Sequence, residues 1–236
     1  MWKVKIITAY PDFFPGILGC SVIGKALEKK IWGLETINLH DFTSKKISRI
    51  DDTPFGGGPG MIIRPDIIEK AVLKTYKETL DQNNPLIFMT PTGRPLKQKK
   101  LENYAKKPGI TILCGRFEGV DARVLENFNF ELVSVGDYVL SGGEVAAQLL
   151  VEGCVRLLPG VLGHSESVLE ESFSKDFLEH PQYTKPQVWV DRNNKKNHVP
   201  DILLSGHHEK INKWRKDKSV EITKKNRQEL IKNKKI

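Results

Sequence analysis

Several features that would narrow the chemistry at once are missing from this chain. Its 236 residues include only three cysteines, Cys20, Cys114 and Cys154, far apart and without a CxxC pair. That excludes a disulfide framework and a zinc ribbon, and suits a cytoplasmic protein in a reducing compartment. No uninterrupted apolar run approaches the roughly 20 residues of a membrane span. The opening MWKVKIITAYPDFFPGIL reads as a strand and a turn, not as a basic region, apolar core and cleavage site. No G-K-[ST] follows the glycine-rich GGGPGM, and no GxGxxG joins a strand to a helix. A P-loop NTPase and a Rossmann dehydrogenase are therefore both disfavoured. The histidines at 40, 164, 180 and 198 and the adjacent pair His207–His208 lack ligand spacing, so no metal site is expected.

What remains, 39% hydrophobic and 28% charged, is the composition of a globular chain with a real core. The net charge of +8 is unevenly spread: residues 191–236 carry 14 Lys and Arg against 6 Asp and Glu, while the first 190 hold 23 of each sign. The basic excess belongs to the C-terminal region alone. It is either a solvated helical surface or a surface for a polyanion, most simply nucleic acid.

Along the chain, KVKIITA (3–9) and LETINL (34–39) read as strands, with helical spacing from Pro11 to Lys30 between them. A long polar loop follows, containing DDTPFGGGPG (51–60), in which Gly56, Gly57, Gly58 and Gly60 fall within five positions. Ordering so much glycine is costly, and suggests backbone passing close to something. Asp66–Thr79 reads as a helix capped by Asp66. LIFM (86–89), wholly apolar, ITILC (110–114) and ELVSV (131–135) read as buried strands of a parallel sheet, each followed by a Gly- or Pro-rich loop: TPTGRP, GRFEGVD and GDYVLSGGE. Ser141 and Glu144 fit a capping box before the apolar helix 145–158, which Pro159–Gly160 stops.

This alternation predicts an α/β fold with a largely parallel sheet over residues 1–160, a polar linker at 161–175 and a small basic helical domain at 176–236. Ligands bind outside the carboxyl ends of such strands, so the three loops share a pocket or are three tight turns. Candidate acid–base groups are Asp51, Asp52, Glu118, Asp121, Asp137, Glu144, Glu170 and Glu171, with Arg116, Arg123 and Arg156 as anion stabilisers.

The strings DDTPFGGGPGM (51–61), LCGRFEGVDARV (113–124), SVGDYVLSGGEVAA (134–147), RLLPGVLGH (156–164), HPQYTKP (180–186) and VPDILLSGHHEKINKWR (199–215) resemble, in order, the motif series of the bacterial tRNA (guanine-N1)-methyltransferases. The resemblance covers nearly the whole chain. It implies a SPOUT-type domain with a deep C-terminal trefoil knot, and a homodimer with its active site at the subunit interface. It also implies methylation by S-adenosylmethionine of N1 of the guanosine 3′ of the anticodon, position 37, in tRNA. The donor-binding residues it implies are Phe88, Met89, Thr90, Pro91, Thr92 and Gly93; Gly115, Phe117, Glu118 and Gly119; and Val135, Gly136, Asp137, Tyr138, Val139, Leu140, Ser141, Gly142 and Gly143. The family's cation at the developing O6 charge corresponds to Arg156. Its general base is the aspartate of an E-D-S-F string, which here reads E-E-S-F, placing Glu171 in that role with Glu170 as the stand-in. Thr92 replaces a glutamine frequent in the family.

By the same resemblance Asp51, Asp52, Gly57, Gly58 and Gly60 lie beside the target base, and Lys195, Lys196, Lys210, Lys213, Arg215 and Lys216 meet tRNA phosphates. The family benefits from Mg²⁺, although no dedicated metal motif is visible. Two other readings stay open: a knotted methyltransferase with another RNA target, and an RNA-binding protein that has lost catalysis.

Overall fold

The computed structural model describes residues 1–44, 48–78, 84–163, 172–173 and 177–231. The chain divides into two compact units, Met1–Gly163 and His164–Ile236. Most of the segment read as a linker lies outside the described residues.

The first unit is built on five parallel strands: β1 (Trp2–Thr8), β2 (Trp32–Asn38), β5 (Leu86–Pro95), β6 (Gly109–Cys114) and β7 (Glu131–Ser134), ordered β2-β1-β6-β5-β7. Strand alternation sends Trp2, Val4, Ile6, Ile87, Met89, Ile110, Ile112 and Val133 to one side. There α1 (Ser21–Glu28) and α5 (Gly143–Val155) cover them, with α3 (Gln98–Ala105) packed on α5. Ile7, Ile37, Phe88 and Leu113 face the other side, under α2 (Pro65–Glu78) and α4 (Ala122–Asn127). Both faces are buried at the centre of the sheet, which is why LIFM of β5 and ITILC of β6 are apolar runs, whereas the edge strands β2 and β7 carry Glu35 and Glu131.

Three local expectations change. The helical spacing at 11–30 is not one helix: Pro11–Phe13 and Gly16–Gly19 are 3₁₀ turns and only Ser21–Glu28 is α. Pro15 has no N–H to give, and Gly16 at φ +52° turns the chain. Asp66 stands one residue inside α2, which opens on Pro65, and its carboxylate holds Arg64 through two bonds of 3.1 and 2.9 Å. TPTGRP is not a simple turn either. Met89 and Arg94 both face Val133, so residues 90–93 make an excursion and the chain returns to pair again along β7. Gly93 permits the return: a Cβ there would lie 2.4 Å from the Val133 backbone nitrogen.

In the second unit, β8 (Val188–Val190) and β9 (Lys196–His198) form an antiparallel hairpin, followed by α6 (His208–Asn226). The hairpin is an addition to the all-helical expectation. Asp191 shapes its turn by accepting the N–H groups of Asn193 and Lys195 at 2.9 and 3.0 Å. These bonds, led by that from Lys195, hold its carboxyl below the usual value. His180 meets the Trp214 ring of α6 edge-on, and Tyr183 packs against it at a tilt. Among the described residues no helix is long and apolar enough to cross a membrane.

Candidate functional site

β6, β5 and β7 are sheet neighbours, so the segments that leave their carboxyl ends meet. Together they wall a pocket of about 230 Å³. Its lining takes Phe88, Met89, Thr90 and Pro91 from β5; Gly115, Arg116, Phe117, Glu118 and Gly119 after β6; and Val133, Ser134, Val135, Gly136, Tyr138, Val139, Leu140, Ser141, Gly142, Gly143 and Ala146 from β7 to α5. Thr92, Gly93 and Asp137 are not part of the wall. Much of the surface is main chain at tight turns. Phe117 sits at φ +57°, an uncommon conformation for a bulky residue, and the Gly119 N–H closes the turn on the Arg116 carbonyl at 3.0 Å. The rim is apolar: Phe117, Tyr138, Val139 and Leu140 are all exposed.

Behind this wall is a buried polar cluster. Glu144 is 0% exposed; its Oε1 accepts from the Thr8 hydroxyl at 2.7 Å, and its Oε2 lies 2.9 Å from Arg116 Nε. The Arg116 N–H is not aligned on that oxygen, so the pair is a close Coulombic contact rather than a directed hydrogen bond. The guanidinium is held over the Tyr10 and Phe13 rings, 4.6 and 5.1 Å from their centroids, and reaches the Ser141 carbonyl at 3.4 Å. The capping box is therefore overturned: Gly142 is the N-cap of α5, with no side-chain cap bond, and Glu144 turns inward to the ion pair. Gly142 leaves room for it, because a Cβ there would fall 2.4 Å from Arg116 Nε. Burial, reinforced by Glu144, pushes the neighbouring Cys114 thiol well up.

The glycine-rich loop joins this site through its exit. β3 (Asp51–Asp52) and β4 (Ile62–Ile63) pair antiparallel, and Ile63 then runs beside Val120. Glu118 donates its N–H to Met61 O at 2.9 Å, Ile63 to Gly119 O at 3.0 Å, and Asp121 to Ile63 O at 3.2 Å. Gly60, at φ +85°, is the point of close approach, since a Cβ would meet Glu118 Cγ at 2.4 Å. Gly56, Gly57 and Gly58 also have positive φ, but nothing lies within 4 Å of their Cβ positions. These three glycines serve the turn itself, not a close contact within the chain. Phe55 at the tip is 98% exposed, Asp51 is half-buried, and Asp52 is exposed with its carboxylate on the Thr53 N–H. Hydrogen bonds from the Arg123 side chain hold the nearby Asp121 carboxyl below the usual value.

Arg156 is the half-buried C-cap of α5. Glu170 and Glu171 lie outside the described residues. In the second unit Lys195 and Lys196 are exposed on the hairpin, and Lys210, Lys213 and Lys216 are exposed on α6. Arg215 is half-buried, with its Nε enclosed. Among the described residues no three His, Cys, Asp or Glu side chains gather to hold a metal. The sequence pattern gives no sign of Thr8, Tyr10 and Phe13, and offers Glu144 as a cap or an acid–base group rather than as the partner of Arg116. The available signal was the paired glycine before Glu144, which marks a crowded approach.

A family model described as "tRNA (Guanine-1)-methyltransferase TrmD" matches residues 2–233. A tRNA (guanine-N(1)-)-methyltransferase of Ruegeria pomeroyi is 49% identical, over 98% of this chain and 92% of its own. Those of Wolbachia pipientis subsp. Culex pipiens and Rhodospirillum rubrum are 47% and 45% identical. They cover 98% and 97% of this chain, and 97% and 92% of theirs.

Proposed function

The chain belongs to the tRNA (guanine-1)-methyltransferase family, and on that premise we propose that it methylates N1 of the guanosine immediately 3′ of the anticodon in tRNA, using S-adenosylmethionine. The observation that carries this reading is the pocket where the segments after β5, β6 and β7 meet. Its chemistry suits the donor. Main-chain groups at Gly115, Gly119, Gly136 and Gly142 can read a purine edge, while Phe88, Val135, Val139 and Leu140 offer apolar cover. When bound, S-adenosylmethionine supplies an electrophilic methyl group on a sulfonium.

Guanine N1 carries a proton at neutral pH, so a base must remove it as the nitrogen becomes a nucleophile. Glu171 takes that proton, with its carboxylate one methylene further from the backbone than the aspartate of the family. Charge then grows toward O6, where the Arg156 guanidinium offsets it. Asp51 and Asp52 accept from the guanine N–H groups, and Gly57, Gly58 and Gly60 let the loop approach a base taken out of its stack. Lys195, Lys196, Lys210, Lys213, Arg215 and Lys216 meet tRNA phosphates. The chain works as a homodimer with a trefoil knot at the donor pocket. Val145 and Leu149, one turn apart on α5 and both exposed, support the dimer, as does exposed Ile17 on the 3₁₀ turn packed against α5.

Single-turnover methylation of a tRNA with G after the anticodon, and of its A variant, tests the reading. Transfer to N1 of the G form alone is expected. Transfer to neither, with donor binding intact, would leave an RNA-binding protein without catalysis.

A further inference from the structure

The charges around the pocket pose a problem that the buried cluster resolves. Among the lining residues only Arg116 and Glu118 are charged, and they cancel. A methyl donor of the sulfonium class carries net +1, and its thioether product is neutral. Left to Arg116 and Glu118, the wall carries no net charge and does not favour the donor over the product. Glu144 is not in the wall, yet it lies against Arg116 with Nε and Oε2 2.9 Å apart. It has no exposure through which solvent could screen it. Counted with the two charged lining residues, it leaves the pocket with net −1.

We propose that Glu144 is a positioning and specificity-determining residue: it neutralises Arg116, so that the pocket favours the cationic sulfonium donor over its neutral thioether product. This rests on the reading that the pocket takes S-adenosylmethionine. Thr8 fixes the carboxylate from the end of β1 through its 2.7 Å bond, and Gly142 keeps clear the space where the two charges meet. The rings of Tyr10 and Phe13 hold the guanidinium plane, so Arg116 can order the wall through Ser141 without presenting a free charge. One unit of charge roughly 10 Å away, at an effective dielectric of about 20, changes relative affinity about tenfold.

The test is calorimetric titration of S-adenosylmethionine and S-adenosylhomocysteine into the full-length wild type, Glu144→Gln, Thr8→Val, and the double variant Arg116→Met/Glu144→Gln. In Glu144→Gln the donor should lose about tenfold more affinity than the product. Thr8→Val, which keeps the charge, should weaken both ligands by one common factor. The double variant removes both charges and should return the donor-to-product ratio to within about twofold of wild type. Equal losses for both ligands in Glu144→Gln overturn the inference alone. So does a double variant that shifts toward the donor, because Arg116 would then not have been neutralised. That arm decides the matter if Glu144→Gln fails to fold. A wild type that binds neither ligand overturns the pocket reading, and this inference with it.

Discussion

Replacing Gly93 with alanine tests how the pocket's first wall is made. The new Cβ would lie 2.4 Å from the Val133 nitrogen and 2.6 Å from the Leu132 and Val133 carbonyl carbons. All three are main-chain atoms of β7, so no side chain can swing away. Relief requires the returning half of β5 to move by about an ångström, to ordinary contact distance. That movement breaks the pairing of Arg94 with Val133 and Pro95 with Ser134, and the 2.7 Å bond from the Leu96 N–H to Ser134 O. Losing about two partly buried main-chain hydrogen bonds costs roughly 2–4 kcal/mol. For a unit of this size that lowers Tm by about 6–12 °C. Gly57→Ala is the control: it also adds one methyl group, but into open space at φ +79°. It should cost only the backbone strain, about 1 kcal/mol. Differential scanning calorimetry of both variants, with donor titration at 25 °C, checks the pair. A Gly93→Ala protein that melts within about 2 °C of wild type and binds donor normally would refute the argument that this glycine lets β5 return along β7.

Three further outcomes are expected. Glu171→Gln should slow single-turnover methyl transfer by at least about a hundredfold while leaving donor affinity unchanged; an unchanged rate removes Glu171 as the base. tRNA affinity should fall steeply with salt, and Lys210→Ala, Lys213→Ala or Lys216→Ala should each reduce the log–log slope by about 1; a slope that none of them alters would count against phosphate contacts on α6. Burial raises the Cys154 thiol from its ordinary 9.0 to about 12. The unfolded chain therefore loses this proton before the fold does, so the thiol's contribution to stability is complete below pH 9 and lost between about pH 9 and 12. Urea titrations across that window should show a steeper decline for wild type than for Cys154→Ala, and at pH 8 a thiol reagent should modify exposed Cys20 while sparing Cys114 and Cys154 until unfolding.

The main pieces of the site are readable from local pattern. LIFM and ITILC are apolar without alternation because both sheet faces are covered there, and a Gly- or Pro-rich segment after these strands and after ELVSV marks the end where ligands bind. What pattern cannot supply is sheet order. Only because β5 lies between β6 and β7 do the three segments share one pocket. Glu144 is the sharpest case. At N2 of α5, behind Ser141, its spacing is that of a cap, yet the partners it finds are Thr8 and Arg116, 136 and 28 positions away in sequence. Gly60 and Gly57 make the same point within one motif. Both have positive φ, but only tertiary packing brings Glu118 against Gly60 and leaves Gly57 open.

The sequence by itself determined the strand–helix alternation, the basic C-terminal region and, through its ordered motifs, the family, because these depend on residue type and spacing along the chain. Tertiary structure alone decided which loops meet and which glycine is crowded. It also decided which carboxylate is buried against a cation, because those depend on contacts between residues distant in sequence.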